Sequence, residues 1–241
     1  MKPKLLIAGC SHAAGSEIDG EIDSKFNRDN SFGNLLAKML GKEPINIAVG
    51  GSTNHTIARS VINYIEKNQH DNLFVLVSWT DSSRVEVPIN WIHGHLPKNA
   101  DWFDESMTTF TKVTIGIPKS PIPEEDKIYN YWKTFCAENS EWLEIYSLHT
   151  VLMTQYYLKS KNISYVMCNG GWLAKSTLHT DHYLNLIDTS RHYEHSNPDK
   201  SFIVKFRDLG YKNPLAKYWH HGVEPHKLYS NELLNFIHAN Q

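Results

Sequence analysis

Continuously apolar segments alternate with segments of helical spacing in the first third of the chain. Residues 4–9 (KLLIAG), 45–49 (INIAV) and 72–79 (NLFVLVSW) lack the polar alternation of a half-exposed strand, which predicts strands buried on both faces. Apolar positions three and four residues apart predict helices over residues 31–41 and 55–68. This order of elements is typical of a parallel sheet covered on both faces.

The pattern changes after the third predicted strand. Residues from about 82 to 138 mix prolines, tryptophans and polar side chains, and we expect a long insertion there. A helix is predicted over residues 141–161, a strand over 163–168 and an amphipathic helix over 224–239. The segment 201–206 (SFIVKF) is predicted as a fifth strand or an edge element.

These elements predict an α/β fold, specifically a flavodoxin-like three-layer sandwich whose parallel sheet has about five strands. Neither an internal repeat nor a low-complexity linker is visible in the sequence. We therefore expect residues 1–241 to form one domain that carries the insertion at about 82–138.

Composition limits the classes of partner. The 241 residues include 24 basic and 26 acidic side chains, for a formal net charge of −2, and nucleic acid is not an expected partner. Apolar runs stay well short of the roughly 18 residues that cross a bilayer, so a membrane is not expected either. The cysteines Cys10, Cys136 and Cys168 are too widely spaced for a disulfide framework, which favours a cytoplasmic location.

The 14 histidines gather in the C-terminal half of the chain. Such clusters raise the hypothesis of a metal-dependent hydrolase, but the sequence has no HExxH motif or comparable helical pair. We therefore expect no metal and no organic cofactor.

Polar turns follow each of the first three predicted strands. Ser11 follows the first, residues 50–54 (GGSTN) the second and residues 78–84 (SWTDSSR) the third, and the carboxyl ends of parallel strands form one ligand-binding rim. Ser11 is either a nucleophile or a serine that caps a turn. A nucleophile needs a base. We predict that His220 is this base, because His12 is adjacent to Ser11 in sequence and its side chain points away from Ser11.

These segments resemble the conserved blocks of the SGNH (GDSL-like) hydrolases. GCSHAAG is similar to the nucleophile block, NIAVGGSTN to the second block, VLVSWTDSSR to the third and HHGVEPH to the histidine block. The resemblance implies that Ser11 is the nucleophile, Gly51 an oxyanion-hole donor and His220 the base. The third-block asparagine falls on Thr80, whose hydroxyl can donate, and Asn54 is a substitute donor.

One catalytic position departs from this pattern. The aspartate expected three residues before the base falls on Lys217, which cannot accept a hydrogen bond from the imidazole and so cannot orient it. Asp208 or a backbone carbonyl takes its place, or the site is a Ser-His dyad, or it is inactive. His221 remains the rival base, although His226, six positions after His220, favours His220 by the family pattern.

The resemblance thus implies a serine esterase that acts on a small acyl ester or an O-acetylated glycan. The variants GCSH and SWTDSSR, together with HHGVEPH, look most like divergent SGNH-type proteins of tailed bacteriophages, which would place the protein in the host cytoplasm or the virion. The alternative is a catalytically degenerate SGNH-like protein that binds a ligand or belongs to a phage particle. The sequence leaves the oligomeric state open.

Overall fold

A computed structural model describes residues 2–68, 71–88, 110–114, 130–131, 133–135 and 139–240. Four parallel strands form the central sheet in these residues, in the order β2-β1-β3-β6. Their bounds are β1 Lys4–Ala8, β2 Glu43–Asn46, β3 Leu73–Trp79 and β6 Ser164–Asn169. The strand order reverses between β1 and β3, and such a switch point opens a ligand-binding crevice at the carboxyl ends.

Helices cover both faces of the sheet. They are α1 Ser11–Ala14, α2 Lys25–Asn30, α3 Phe32–Met39, α4 Asn54–Lys67, α5 Ser140–Ser160, α6 Asp181–Leu184, α7 Phe202–Asp208 and α8 Val223–Asn240, with a 3₁₀ turn at Pro198–Lys200. One core lies between the sheet and α4 and α5, and includes Val75, Val77 and Val151. The other lies between the sheet and α3, α7 and α8, and includes Leu5 and Phe206. The predicted α/β class and three-layer arrangement are confirmed.

Two predicted elements differ from the structure. The second strand ends at Asn46, so residues 47–49 belong to the turn that follows it. Residues 201–206 form no fifth strand, since α7 begins at Phe202. Phe202, Val204 and Phe206 are buried at alternate positions, as in a strand. Phe202 and Phe206 also lie about one helical turn apart, and their ring centroids are 5.4 Å from each other.

The predicted insertion contains a two-stranded antiparallel sheet formed by β4, Arg84–Pro88, and β5, Phe110–Thr114. An ion pair attaches β4 to α4, because Arg59 donates to both carboxylate oxygens of Glu86 at 2.5 and 3.0 Å. The Thr56 hydroxyl donates to the same carboxylate at 2.6 Å. Most other residues of the insertion lie outside the described part of the chain.

Candidate active site

Ser11 is presented by a tight connection between β1 and α1. A Cβ added at Gly9 would lie 2.5 Å from Ala13 Cβ and 3.1 Å from Ser78 Cβ, so this close approach requires glycine. Cys10 occupies the cap position of α1 and Ser11 is its first helical residue. The Ser11 hydroxyl makes no hydrogen bond within the described residues and is not acting as the cap. It lies at the carboxyl end of β1, beside the switch point.

His220 has a carboxylate partner that the sequence did not indicate. Its Nδ1 lies 2.5 Å from Glu17 Oε2, and the side chains are 13% and 1% exposed. A carboxylate only accepts, so Nδ1 carries the proton and Nε2 is left with a lone pair. The His220 ring also lies 5.0 Å from the ring of His12, the neighbour of Ser11. His220 therefore lies beside the segment that carries Ser11.

The Glu17 carboxylate is held by the segment that carries His220. Its two oxygens accept from the backbone N–H groups of Lys217 at 3.1 Å and Tyr218 at 3.0 Å. Burial raises the pKa of the Glu17 carboxyl, but the hydrogen bonds from His220, Tyr218 and Lys217 outweigh burial and hold that pKa below its ordinary value. Glu17 is therefore ionised at neutral pH.

The backbone of Glu17 is fixed as well. Its N–H donates to the Glu21 carbonyl at 2.7 Å, and its own carbonyl accepts from Asn213 Nδ2 at 2.7 Å. Glu17 has a φ of 60°, a left-handed conformation that is uncommon outside glycine. This strained backbone belongs to the residue whose carboxylate contacts His220. Strained backbone conformations often occur at functional sites.

The alternative that Asp208 orients His220 is wrong. Its carboxylate is exposed and accepts from the adjacent Arg207 Nε at 2.9 Å. Lys217 occupies the position where the aspartate was expected. Its backbone N–H donates a hydrogen bond to the Glu17 carboxylate.

The other two histidines of the block contact the core. His221 is buried, and its Nε2 donates to the Ile203 carbonyl at 3.2 Å. His226 accepts the backbone N–H of Phe32, at the start of α3, through Nδ1 at 3.1 Å. Burial lowers the pKa of both, that of His226 to about 3. His220 is the one of the three with a carboxylate partner among the described residues.

The predicted oxyanion turn lies against Ser11. A Cβ built at Gly50 would lie 3.9 Å from Ser11 Cβ. Gly51 has a φ of +73°, and its N–H has no acceptor within the described residues. The turn ends at Thr53, whose side chain accepts from Thr56 N at 3.1 Å and starts α4. Gly50 therefore lies against Ser11, and the next residue of the turn, Gly51, has a free N–H among the described residues.

Asn54 and Thr80 form a reciprocal pair between the second and third turns. Asn54 Oδ1 accepts from Thr80 N at 2.8 Å, and Asn54 Nδ2 donates to the Thr80 carbonyl at 3.1 Å. Nδ2 retains a second proton, and the buried Thr80 hydroxyl has no partner in the described residues. Both predicted side-chain donors therefore keep donor capacity.

His12 stays neutral beside this cluster. Burial lowers its pKa well below the ordinary value, and the nearby His220 and Arg84 lower it further. Arg84 forms an ion pair with Asp81, with Nε 3.5 Å from Asp81 Oδ2, and Asp81 Oδ1 accepts from Trp172 N at 2.7 Å. A neutral His12 adds no repulsion when His220 takes up a proton.

The described residues contain no group of three or more His, Cys, Asp or Glu side chains arranged to hold a metal ion. Within the same ranges, no helix is both long and apolar enough to cross a membrane.

Glu17 is the residue that sequence reasoning missed. Its sequence neighbours Gly15 and Gly20, both at positive φ, mark a compact turn after the nucleophile block. Nothing in the spacing connects that turn with a histidine 203 positions later.

Comparisons with known proteins give two esterases among the similar structures. No protein family and no curated protein matches the sequence. The psychrotrophic esterase EstA from Pseudoalteromonas sp., solved with monoethylphosphonate as inhibitor, is 12% identical over 98% of this chain and 97% of its own, with a TM-score of 0.45. A carbohydrate esterase with catalytic and non-catalytic binding functions is 11% identical over 98% of this chain, with a TM-score of 0.46. This chain spans 65% of that protein's length, and the assignment of a reaction rests on the chain's own residues.

Proposed function

We propose that the protein is a serine esterase of the SGNH type, with Ser11 as nucleophile, His220 as general base and Glu17 as the acid that orients His220. The observation that carries this proposal is the 2.5 Å hydrogen bond between His220 Nδ1 and the buried Glu17 carboxylate. A carboxylate on Nδ1 fixes the tautomer in which Nε2 accepts a proton, and it stabilises the imidazolium that forms. This is the arrangement that a Ser-His-acid hydrolase needs.

The reaction would proceed in two acyl transfers. Ser11 Oγ attacks the ester carbonyl while His220 Nε2 takes the hydroxyl proton, and the resulting imidazolium returns that proton to the leaving alcohol. Water then attacks the acyl-serine with the same assistance from His220, which releases the carboxylic acid and restores Ser11.

Three donors are candidates for the developing oxyanion. The Gly51 N–H is free within the described residues and lies in the turn against Ser11. Asn54 Nδ2 has one unused proton, and the Thr80 hydroxyl has no partner in the part of the chain that the structure describes. Removal of a single oxyanion donor typically lowers kcat about 10²–10³-fold, so each donor can be tested separately.

The substrate proposed is a small acyl ester or an O-acetylated glycan, hydrolysed without a cofactor. The finer assignment, a divergent member of bacteriophage type, rests on the sequence variants GCSH, SWTDSSR and HHGVEPH alone. The rival hypothesis, a degenerate binding protein, drew its main support from Lys217 in place of an aspartate. Glu17 supplies the missing carboxylate and weakens that argument.

The test is covalent labelling with a fluorophosphonate probe, together with turnover of short p-nitrophenyl esters. We expect labelling and turnover in the wild type, loss of both in Ser11→Ala, and strong loss of both in His220→Ala. Ser160→Ala, at an exposed serine on α5, is the matched control and should retain both. A folded wild type that neither labels nor turns over the esters supports the degenerate binding protein and refutes the esterase.

A further inference from the structure

Helix α5 has a narrow exposed seam of large side chains. Between Glu141 and Leu158, the exposed positions are Trp142, Tyr146, His149, Met153 and Tyr156. Trp142, Tyr146, Met153 and Tyr156 are 42%, 40%, 51% and 53% exposed. These five residues are called the α5 seam below.

The composition of the α5 seam is unusual for a surface position. An amphipathic helix normally turns its charged and polar residues to water. Here the charged residues at the helix ends, Glu141 and Lys159, lie outside the seam, and Glu144 is buried. Four of the five outward positions carry aromatic rings or a thioether instead.

The spacing of the α5 seam is that of a helix-pairing surface. Its members follow each other by four, three, four and three residues, the 3.5-residue period of a coiled-coil seam. The 14 residue steps from Trp142 to Tyr156 span about 21 Å at 1.5 Å per residue. The helix already packs on the core through the opposite side, where Leu148, Val151 and Leu158 are buried.

We propose that the α5 seam is a dimer interface, on which the α5 helix of a second copy of this chain packs antiparallel. The seam is self-complementary about its centre: His149 lies midway between Trp142 and Tyr156, and nearly midway between Tyr146 and Met153. A twofold axis at His149 pairs each large residue with another large residue. Such isologous contacts are the commonest way in which identical chains associate.

Charge at the helix ends favours the antiparallel arrangement. Glu141 lies at the N-terminal end of α5 and Lys159 at the C-terminal end, with side chains 42% and 44% exposed. Lys159 already pairs with Asp188 at 2.7 Å, and Glu141 accepts from the Thr177 hydroxyl. The arrangement is therefore favoured mainly by the two helix dipoles, which an antiparallel partner opposes. A parallel partner would place like charges together.

The exposed apolar area suits the core of an interface. Trp142, Tyr146, Met153 and Tyr156 together expose roughly 400 Å² of surface, because each is about half exposed and a large side chain has about 150–250 Å². A standard interface buries about 800 Å² per partner and surrounds an apolar centre with a polar rim. The α5 seam would supply that centre, with exposed Leu186 beside it, since the Leu186 carbonyl accepts from Gln155 of α5.

The first experiment measures the mass of the full chain in solution by sedimentation equilibrium, over about 1–100 µM. We expect a dimer, and a dissociation constant at least about 100-fold higher in Met153→Lys/Tyr156→Lys, because both charges would be buried at the interface. Leu178→Lys and Leu209→Lys are matched controls at exposed leucines outside the seam and should stay dimeric. A monomeric wild type at 100 µM, or equal dissociation in the controls, overturns the proposal.

The second experiment tests the register by disulfide cross-linking, in a chain with Cys136→Ser. His149→Cys lies on the proposed axis and should form a covalent dimer rapidly under oxidation. Met153→Cys faces Tyr146 of the partner subunit and should cross-link at least about tenfold more slowly, since the two sulfurs lie beyond disulfide reach. Equal rates at both positions would indicate parallel helices and overturn the antiparallel pairing. Ester turnover is a separate readout, because the α5 seam contains none of the proposed catalytic residues.

Discussion

Glu17 and His220 are separated by 203 positions, yet the buried Glu17 carboxylate lies 2.5 Å from His220 Nδ1. The carboxylate also accepts the N–H groups of Lys217 and Tyr218, so it holds both the imidazole and the loop that carries it. In the SGNH pattern an aspartate three residues before the histidine has this place. Here Glu17, in the turn six residues after Ser11, is the carboxylate that contacts the imidazole.

The first prediction concerns this carboxylate. Glu17→Gln keeps the shape of the side chain but removes the charge that stabilises a protonated His220, so kcat for ester hydrolysis should fall by about 10²–10⁴-fold with a smaller change in KM. Steady-state kinetics measure it. Glu224→Gln, at an exposed glutamate in the first turn of α8, should keep wild-type rates. A Glu17→Gln enzyme within threefold of the wild type would show that His220 does not depend on the carboxylate.

The second prediction separates the role of Gly51 in the oxyanion hole from its role in the turn. Gly51→Ala and Gly210→Ala both place a Cβ at positive φ, +73° and +81°, with no atom within 4 Å of the added carbon. Each should cost about 1–2 kcal/mol of unfolding free energy. Only Gly51→Ala should also lower kcat, because a shifted turn moves the N–H away from the oxyanion. Equal kcat in the two folded variants would show that the site does not require glycine at position 51.

The third prediction concerns the Thr80 hydroxyl, which is buried without a partner in the described residues. Thr80→Val removes an unsatisfied polar group at constant shape, so unfolding free energy should stay the same or rise. If the hydroxyl serves the oxyanion, kcat falls about 10²-fold. Thr154→Val is the contrasting control: its hydroxyl donates to the Thr150 carbonyl at 2.9 Å, so stability should fall by about 1 kcal/mol while kcat is unchanged. An active Thr80→Val enzyme would leave the oxyanion to Gly51 and Asn54.

The fourth prediction concerns stability in acid. Burial lowers the pKa of His226 and of His192 to about 3. Between that pH and the ordinary histidine pKa of about 6.5, the unfolded chain binds more protons than the native one. Stability should therefore fall as pH falls through this window, by up to about 1.4 kcal/mol per pH unit for each histidine.

Chemical denaturation at several pH values measures this slope. His226→Asn should flatten it by up to that amount, whereas His238→Asn, at an exposed histidine near the end of α8, should leave it unchanged. Equal slopes in both variants would mean that His226 is already protonated in the native state.

The sequence by itself determined the sheet and its polar rim. Apolar runs such as residues 72–79 identify buried strands because a strand covered on both faces has no polar side to present. Once those strands are parallel, their carboxyl ends share one edge, which is why Ser11, Gly51 and Thr80 were expected on one rim. The structure places their turns at those strand ends.

Only the tertiary structure decided which residues that are distant in sequence are in contact. Local spacing cannot connect Glu17 with His220, because a contact between distant segments depends on how whole loops pack and leaves no periodic signal. The same limit applies to residues 201–206, where alternating burial fits a strand and a helix equally well until neighbours are known. His221 and His226 look like His220 in sequence, and their burial in the core, set by the packing of α3 and α7, distinguishes them from the histidine that meets the carboxylate.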